Sequence, residues 1–130
     1  MSLNAEDSLA ILQLVTEADN CASARDAEGY VELFTEDGVL IDAAGTATGW
    51  AELVATVAAV WFDEPSGALH LTLNPTIDET EDDPAVYSVM LILIPGGSPR
   101  IFAAARVRQT VRWTPEGWRI AVREILSGAG

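Results

Sequence analysis

The sequence predicts an α+β fold in which three helices come first and a mostly antiparallel sheet follows. Two observations carry that expectation. Apolar residues recur at helical spacing through most of the first 62 positions, broken by one short strand. From Ala68 onward the period changes to two, and turn sequences recur between long strands. Helices packed on one face of a curved sheet are the expected arrangement.

Asn4 can cap the first helix, with Glu6 and Asp7 in its first turn, where the helix dipole favours acids. Leu9, Leu12 and Asp19 fall along one line of that helix. Ile11, Leu14, Ala18, Cys21 and Ala22 fill the neighbouring line, giving a wide apolar face. A second, shorter helix is expected from about Asp26 to Phe34, burying Tyr30, Leu33 and Phe34. Glu36-Asp37-Gly38 reads as a turn. A short strand, Val39–Ala43, follows, then Gly45 and Thr46–Thr48. Gly49-Trp50 opens a third helix that runs to about Phe62. Proline and glycine in Asp63-Glu64-Pro65-Ser66-Gly67 end it.

Ala68–Asp78 then alternates. Leu69, Leu71 and Leu73 take one face, and His70, Thr72 and Asn74 the other, with Pro75 marking an edge or a bulge. Asp78–Pro84 is an acidic turn. Ala85–Ile94 is apolar on both faces, which predicts cover on both sides. Pro95–Pro99 and Pro115-Glu116-Gly117 are hairpin loops. They flank a long strand at Arg100–Thr114 and precede the last one at Trp118–Leu126.

The 130 residues have room for one domain, 1–130. No apolar run approaches the roughly 20 residues of a membrane span. The acidic start, MSLNAEDS, lacks the pattern of a signal peptide, so a cytoplasmic location is expected. Twenty acidic residues stand against seven basic ones. That argues against nucleic acid and anionic membrane surfaces as partners. All seven basic residues are arginine, which excludes a lysine Schiff base. The single cysteine, Cys21, excludes an internal disulfide and a cysteine metal cluster. With one histidine and scattered carboxylates, a metal site is not expected. No glycine-rich phosphate loop and no serine–histidine–acid spacing appears, and no cofactor is expected.

Several segments in this order carry a family resemblance. They are Ala24-Arg25-Asp26, Tyr30, Leu33-Phe34-Thr35-Glu36-Asp37-Gly38, Gly45 and Gly49, His70-Leu71-Thr72-Leu73-Asn74-Pro75, and Gly117-Trp118-Arg119-Ile120. The chain resembles the nuclear transport factor 2-like cone fold and, within it, the SnoaL-like branch. The resemblance implies a sheet wrapped round the helices, an apolar pocket open at one end, and a homodimer through the sheet. Its members include ketosteroid isomerases, scytalone dehydratase, limonene epoxide hydrolase and polyketide cyclases, alongside proteins with no known chemistry. Fold alone therefore does not choose a function.

The resemblance places Asp42 where ketosteroid isomerases hold the aspartate that moves a proton next to a carbonyl. An apolar pocket would make it a better base; the competing reading is a strand-end carboxylate in water before Gly45. The tyrosine and second acid of those isomerases fall at Ala18 and Gln109. A Gln109 amide can orient a carbonyl, or be bonded to backbone or to a dimer partner. His70, the only histidine, matches a pocket-facing histidine of scytalone dehydratase, and can be acid or base near neutral pH. A histidine packed in the sheet is the alternative. The dehydratase's catalytic aspartate falls at Ser23, and its second histidine near Ser88. Trp50, Trp61 and Tyr30 are expected on the pocket wall. Arg106, Arg108 and Arg112 are expected on the outer sheet face, pairing across a dimer contact.

Two functions follow from these residues. One is a cofactor-free isomerase, dehydratase or cyclase acting on a small apolar molecule, with Asp42 and His70 shuttling the proton. The other is a non-catalytic ligand-binding or assembly module, consistent with the replacements at Ala18 and Ser23.

Overall fold

The structure, a computed structural model, describes residues 2–126. It begins with helix α1 (Ala5–Ser23), whose Asn4 cap accepts the Asp7 N–H at 2.8 Å while Asp7 reaches back to the Asn4 N–H. Its face of Ile11, Leu14, Val15, Ala18 and Ala22 is buried. Helix α2 (Ala27–Val31) is capped by Asp26, and helix α3 (Trp50–Phe62) buries Leu53, Val57 and Trp61. The strands are β1 (Phe34–Asp42), β2 (Gly45–Thr48), β3 (Leu69–Asp78), β4 (Ala85–Ile94), β5 (Arg100–Thr114) and β6 (Gly117–Leu126). They form one sheet in the order β2-β1-β6-β5-β4-β3. Every pairing is antiparallel except β1 with β6. Helices against a curved six-stranded sheet are the expected α+β architecture, with the three helices expected.

Two local expectations need correction. The second helix stops at Val31 instead of Phe34. The Leu33 carbonyl accepts the Ile120 N–H at 2.8 Å, and Phe34 pairs with Ile120, so the strand starts where the helix was expected to continue. Glu36-Asp37-Gly38 is not a free turn but an irregularity within β1, between Phe34 and Val39. There the Gly38 carbonyl accepts the Gly49 N–H at 2.8 Å. A Cβ at Gly38 would stand 2.9 Å from Phe34 Cβ, so close packing requires glycine. The irregularity near Pro75 does occur: the β3–β4 register shifts between Leu73 and Thr76, and Asn74 has φ 52°.

A bulge in β6 decides what the sheet presents inward. Val111 pairs with Ile120 and Thr110 with Val122, leaving Ala121 as the extra residue. Trp118 and Ile120 are buried before it, and Arg123 is buried after it. The phase of the strand has moved by one, which turns Arg123 inward.

The outer face has no helix over it among the described residues. Leu69, Leu73, Tyr87, Ile101 and Phe102 are exposed there, and on β4 itself Tyr87 is the exposed residue. Arg108 and Arg112 pair within the chain, with Glu81 at 3.1 Å and Asp83 at 3.3 Å on the acidic turn. Among the described residues no helix is long and apolar enough to cross a membrane.

The core between helices and sheet centres on Ile11, Phe34, Leu53, Val86, Val111 and Ile120. Each large side chain buried there contributes roughly 1.5–3 kcal/mol by leaving water. Gln109 is the exception in this company. It is fully buried beside Val107 and Val111, and among the described residues neither its amide nitrogen nor its amide oxygen has a hydrogen-bond partner. Such a group costs roughly 1–3 kcal/mol. Gln109→Met, similar in volume and without polar demand, is therefore expected to raise the unfolding free energy by about 1–2 kcal/mol in urea denaturation. A loss of stability would show that the amide is satisfied in solution.

Candidate functional site

Strands β1 and β3 are separated by β6, β5 and β4 in the sheet. At about 4.8 Å per strand, a flat sheet would hold them roughly 19 Å apart. Yet Asp42 at the end of β1 and His70 at the start of β3 border one cavity, so the sheet curls round it. The cavity has a volume of about 100 Å³. Its apolar wall includes Leu40, Val57, Trp61, Met90, Ile92 and Ile125. Asp19, Tyr30, Asp42, Glu64, His70 and Arg123 supply its polar groups.

His70 is 8% exposed and sits on the inward face of β3. Its backbone N–H donates to Ser23 Oγ at 2.8 Å, which pins the start of β3 to the end of α1. Ser23, matched to the dehydratase acid, thus holds the backbone of His70 and not its ring. The ring is held by Glu64, whose Oε1 lies 2.8 Å from His70 Nε2. An ionised carboxylate only accepts, so Nε2 carries the proton and Nδ1 is left for a ligand.

Glu64 is itself 3% exposed, and Arg25 holds it with Nη1 at 2.8 Å from the same Oε1. Arg25 also donates to the Ala22 and Pro65 carbonyls, and its backbone lies at φ 60°. Those bonds tie together the ends of α1 and α3. The ring of Trp61 meets His70 edge-on at 6.1 Å, and Tyr30 meets Trp61 edge-on at 5.2 Å, forming one aromatic wall. Burial pushes the Tyr30 hydroxyl above the usual phenol range, so it stays neutral and can donate.

Asp19 reaches the cavity from α1. Burial pushes its carboxyl above the usual range, against the opposing pull of hydrogen bonding with Thr72 and of the nearby Arg123 guanidinium. Asp42 borders the cavity too, with its Oδ1 taken by the N–H groups of Ala44 at 2.8 Å and Gly45 at 3.1 Å. That is an Asx turn, which combines the pocket and strand-end readings in one side chain.

The residues singled out in the sequence divide accordingly. Asp42, His70, Tyr30 and Trp61 border the cavity. Trp50 does not: its Nε1–H donates to the Phe34 carbonyl at 3.1 Å, and it faces a separate groove beside Thr35 and Arg119. Gln109 does not border the cavity either, being packed in the core opposite Arg123 in the β5–β6 register.

Sequence reasoning missed Asp19, Glu64 and Arg123 as site residues. A carboxylate within a helix that buries a wide apolar face was a readable signal for Asp19. Glu64 lay hidden in a helix-ending loop, and the Ala121 bulge concealed Arg123.

The raised Asp19 carboxyl has a consequence for stability. The folded protein holds that proton more tightly than the unfolded chain does. The stabilisation is complete below the ordinary aspartate value, near about 4, and is lost as pH rises through the folded value. Asp19→Asn cannot ionise. It is expected to melt above the parent at about pH 7–8, with the gap closing toward about pH 4 in thermal scans. A gap independent of pH would contradict the assignment.

The comparisons with known proteins agree with this fold. One solved structure with 26% identity is a protein of unknown function with a cystatin-like fold from Nostoc punctiforme; it matches 96% of this chain and 93% of its own, with a TM-score of 0.86. Another is a nuclear transport factor 2-like protein from Novosphingobium aromaticivorans, at 29% identity, 96% and 85% coverage and a TM-score of 0.78. A third, from Catenulispora acidiphila, was solved in complex with S-DNPA. It shares the fold at 20% identity, 94% and 95% coverage and a TM-score of 0.80. No curated protein matches the chain by sequence. The sequence profile of the SnoaL-like domain matches residues 4–124, and the chain belongs to that family.

Proposed function

We propose that this SnoaL-like protein is a cofactor-free enzyme that moves a proton on a small, largely apolar molecule. The observation that carries the reading is the buried Glu64–His70 contact at 2.8 Å on the wall of an apolar cavity. An imidazole held by a carboxylate through Nε2 offers its Nδ1 lone pair as a base. The ring takes a proton from an acidic C–H or O–H of the substrate at Nδ1 and becomes imidazolium beside Glu64. It then returns the proton to another atom of the same molecule, so no oxidant or reductant is consumed.

Tyr30 and the protonated form of Asp19 are the donors for the oxygen on which charge develops. Asp19 thus takes the donor role that the resemblance assigned to the position of Gln109, while Asp42, the expected proton carrier, borders the cavity with its Oδ1 held by its own turn. Isomerisation, dehydration and cyclisation all fit these groups. The complex of the Catenulispora neighbour with S-DNPA supports a ligand-binding role for a protein of this fold.

A second reading, a binding module without catalysis, draws on the cavity's volume. About 100 Å³ is below the roughly 300 Å³ at which ligand pockets usually begin, so a multi-ring substrate would have to displace side chains.

Hydrogen–deuterium exchange separates the two. Small ketones with an activated α-hydrogen are incubated with the protein in D₂O and followed by NMR. The enzyme reading expects exchange above the buffer rate, reduced about 10²–10⁴-fold by His70→Ala. Probes that bind near Trp61 without any protein-dependent exchange would support the binding module.

A further inference from the structure

Within the proposed site, one charge has no ion-pair partner among the described residues. Arg123 is 8% exposed and reaches the cavity from β6. Among the described residues it makes no ion pair. Its only side-chain hydrogen bond there is a weak one, from Nη2 to the Met90 sulfur at 3.5 Å. A guanidinium removed from water is costly without a carboxylate or a set of strong acceptors.

The acids round it are otherwise engaged. Glu64 is shared by Arg25 and His70. Asp42 accepts from two backbone N–H groups of its own turn. Asp19 feels the attraction of Arg123 but makes no ion pair with it among the described residues; it interacts with Thr72, and its burial favours the neutral form. An unpaired cation therefore lies in the cavity of a chain whose net charge is −13.

We propose that Arg123 is an anion-recognition residue and that the ligand is a small apolar acid whose carboxylate meets the guanidinium while its hydrocarbon body lies against Trp61, Met90 and Ile92. The proposal deepens the proton-transfer reading by naming the substrate class for the same site. A planar guanidinium fork matches a carboxylate with two parallel hydrogen bonds. The apolar wall favours an anion that carries a hydrocarbon body over a bare inorganic one. Anchoring the acid on Arg123 would leave the rest of the molecule within the cavity shared with His70 Nδ1, Tyr30 and Asp19. The strand bulge at Ala121 is what places the anchor: without the extra residue, position 123 would face the outside of the sheet.

The test compares benzoate, benzamide and inorganic phosphate as probes of the intact protein. Binding is read by two-dimensional NMR titration and by tryptophan fluorescence. Benzoate is expected to bind at least about tenfold more tightly than benzamide, with phosphate weaker than benzoate. Arg123→Met, which keeps the methylene stem, is expected to abolish the preference, and Arg123→Lys to retain part of it. The proposal is overturned if benzoate binds no better than benzamide, if neither binds, or if the preference survives in Arg123→Met. Because the parent protein alone distinguishes acid from amide, the result stands even if a variant fails to fold. It also stands apart from catalysis, since equilibrium binding is read whether or not deuterium exchange is seen.

Discussion

A single buried carboxylate governs the architecture of this site. Glu64 is almost fully removed from water, an unfavourable place for a charge unless it is paired on more than one side. Arg25 and His70 both approach its Oε1 at 2.8 Å, and those contacts join three separate elements: the end of α1, the loop after α3 and the start of β3. Arg25 completes the junction through two backbone carbonyls. The junction closes one side of the cavity and fixes the imidazole in a single orientation. Breaking any member would leave a buried charge or dipole exposed to apolar neighbours, so structure and proposed chemistry depend on the same bonds.

Curvature of the sheet supplies the other half of the arrangement. His70 lies on the sheet-edge strand β3, while Arg123 lies on β6, three strand spacings away. Both reach one cavity only because the sheet wraps round the helices. Register shifts accompany that curvature in β1, β3 and the β5–β6 pair, and the extra residue at Ala121 changes which side chains of β6 point inward. The helices fill most of the hollow with Ile11, Leu14, Leu53 and Val57, leaving a modest cavity where the polar groups of α1, β3 and β6 meet.

How much of this could be read in the sequence follows from the physics of each signal. Helical and strand periodicities are local, so the helices, the hairpins and the α+β order were visible from residue spacing. The boundary at Phe34 was not, because strand pairing with distant Ile120 overrides the helical pattern of Tyr30, Leu33 and Phe34. His70 was visible as the lone histidine on the alternate face of a strand. Trp50 has a size and apolarity that suit a pocket wall as well as a surface groove, and only tertiary packing separates the two. Glu64 looked like helix-ending punctuation. Its partners lie 39 residues away at Arg25 and 6 away at His70, in segments whose convergence no local pattern encodes. Arg123 was hidden by a one-residue change of phase at Ala121, which composition cannot reveal.

The central claim is that Glu64 fixes the imidazole so that Nδ1 faces the cavity as a proton acceptor. His70 is the only histidine in the chain, so its ring nitrogens can be identified without ambiguity by long-range ¹H–¹⁵N NMR. In the neutral ring the account predicts the Nε2–H tautomer in the parent protein, and a mixture of tautomers in Glu64→Ala. A dominant Nδ1–H tautomer, or the same tautomer balance in both proteins, would contradict it.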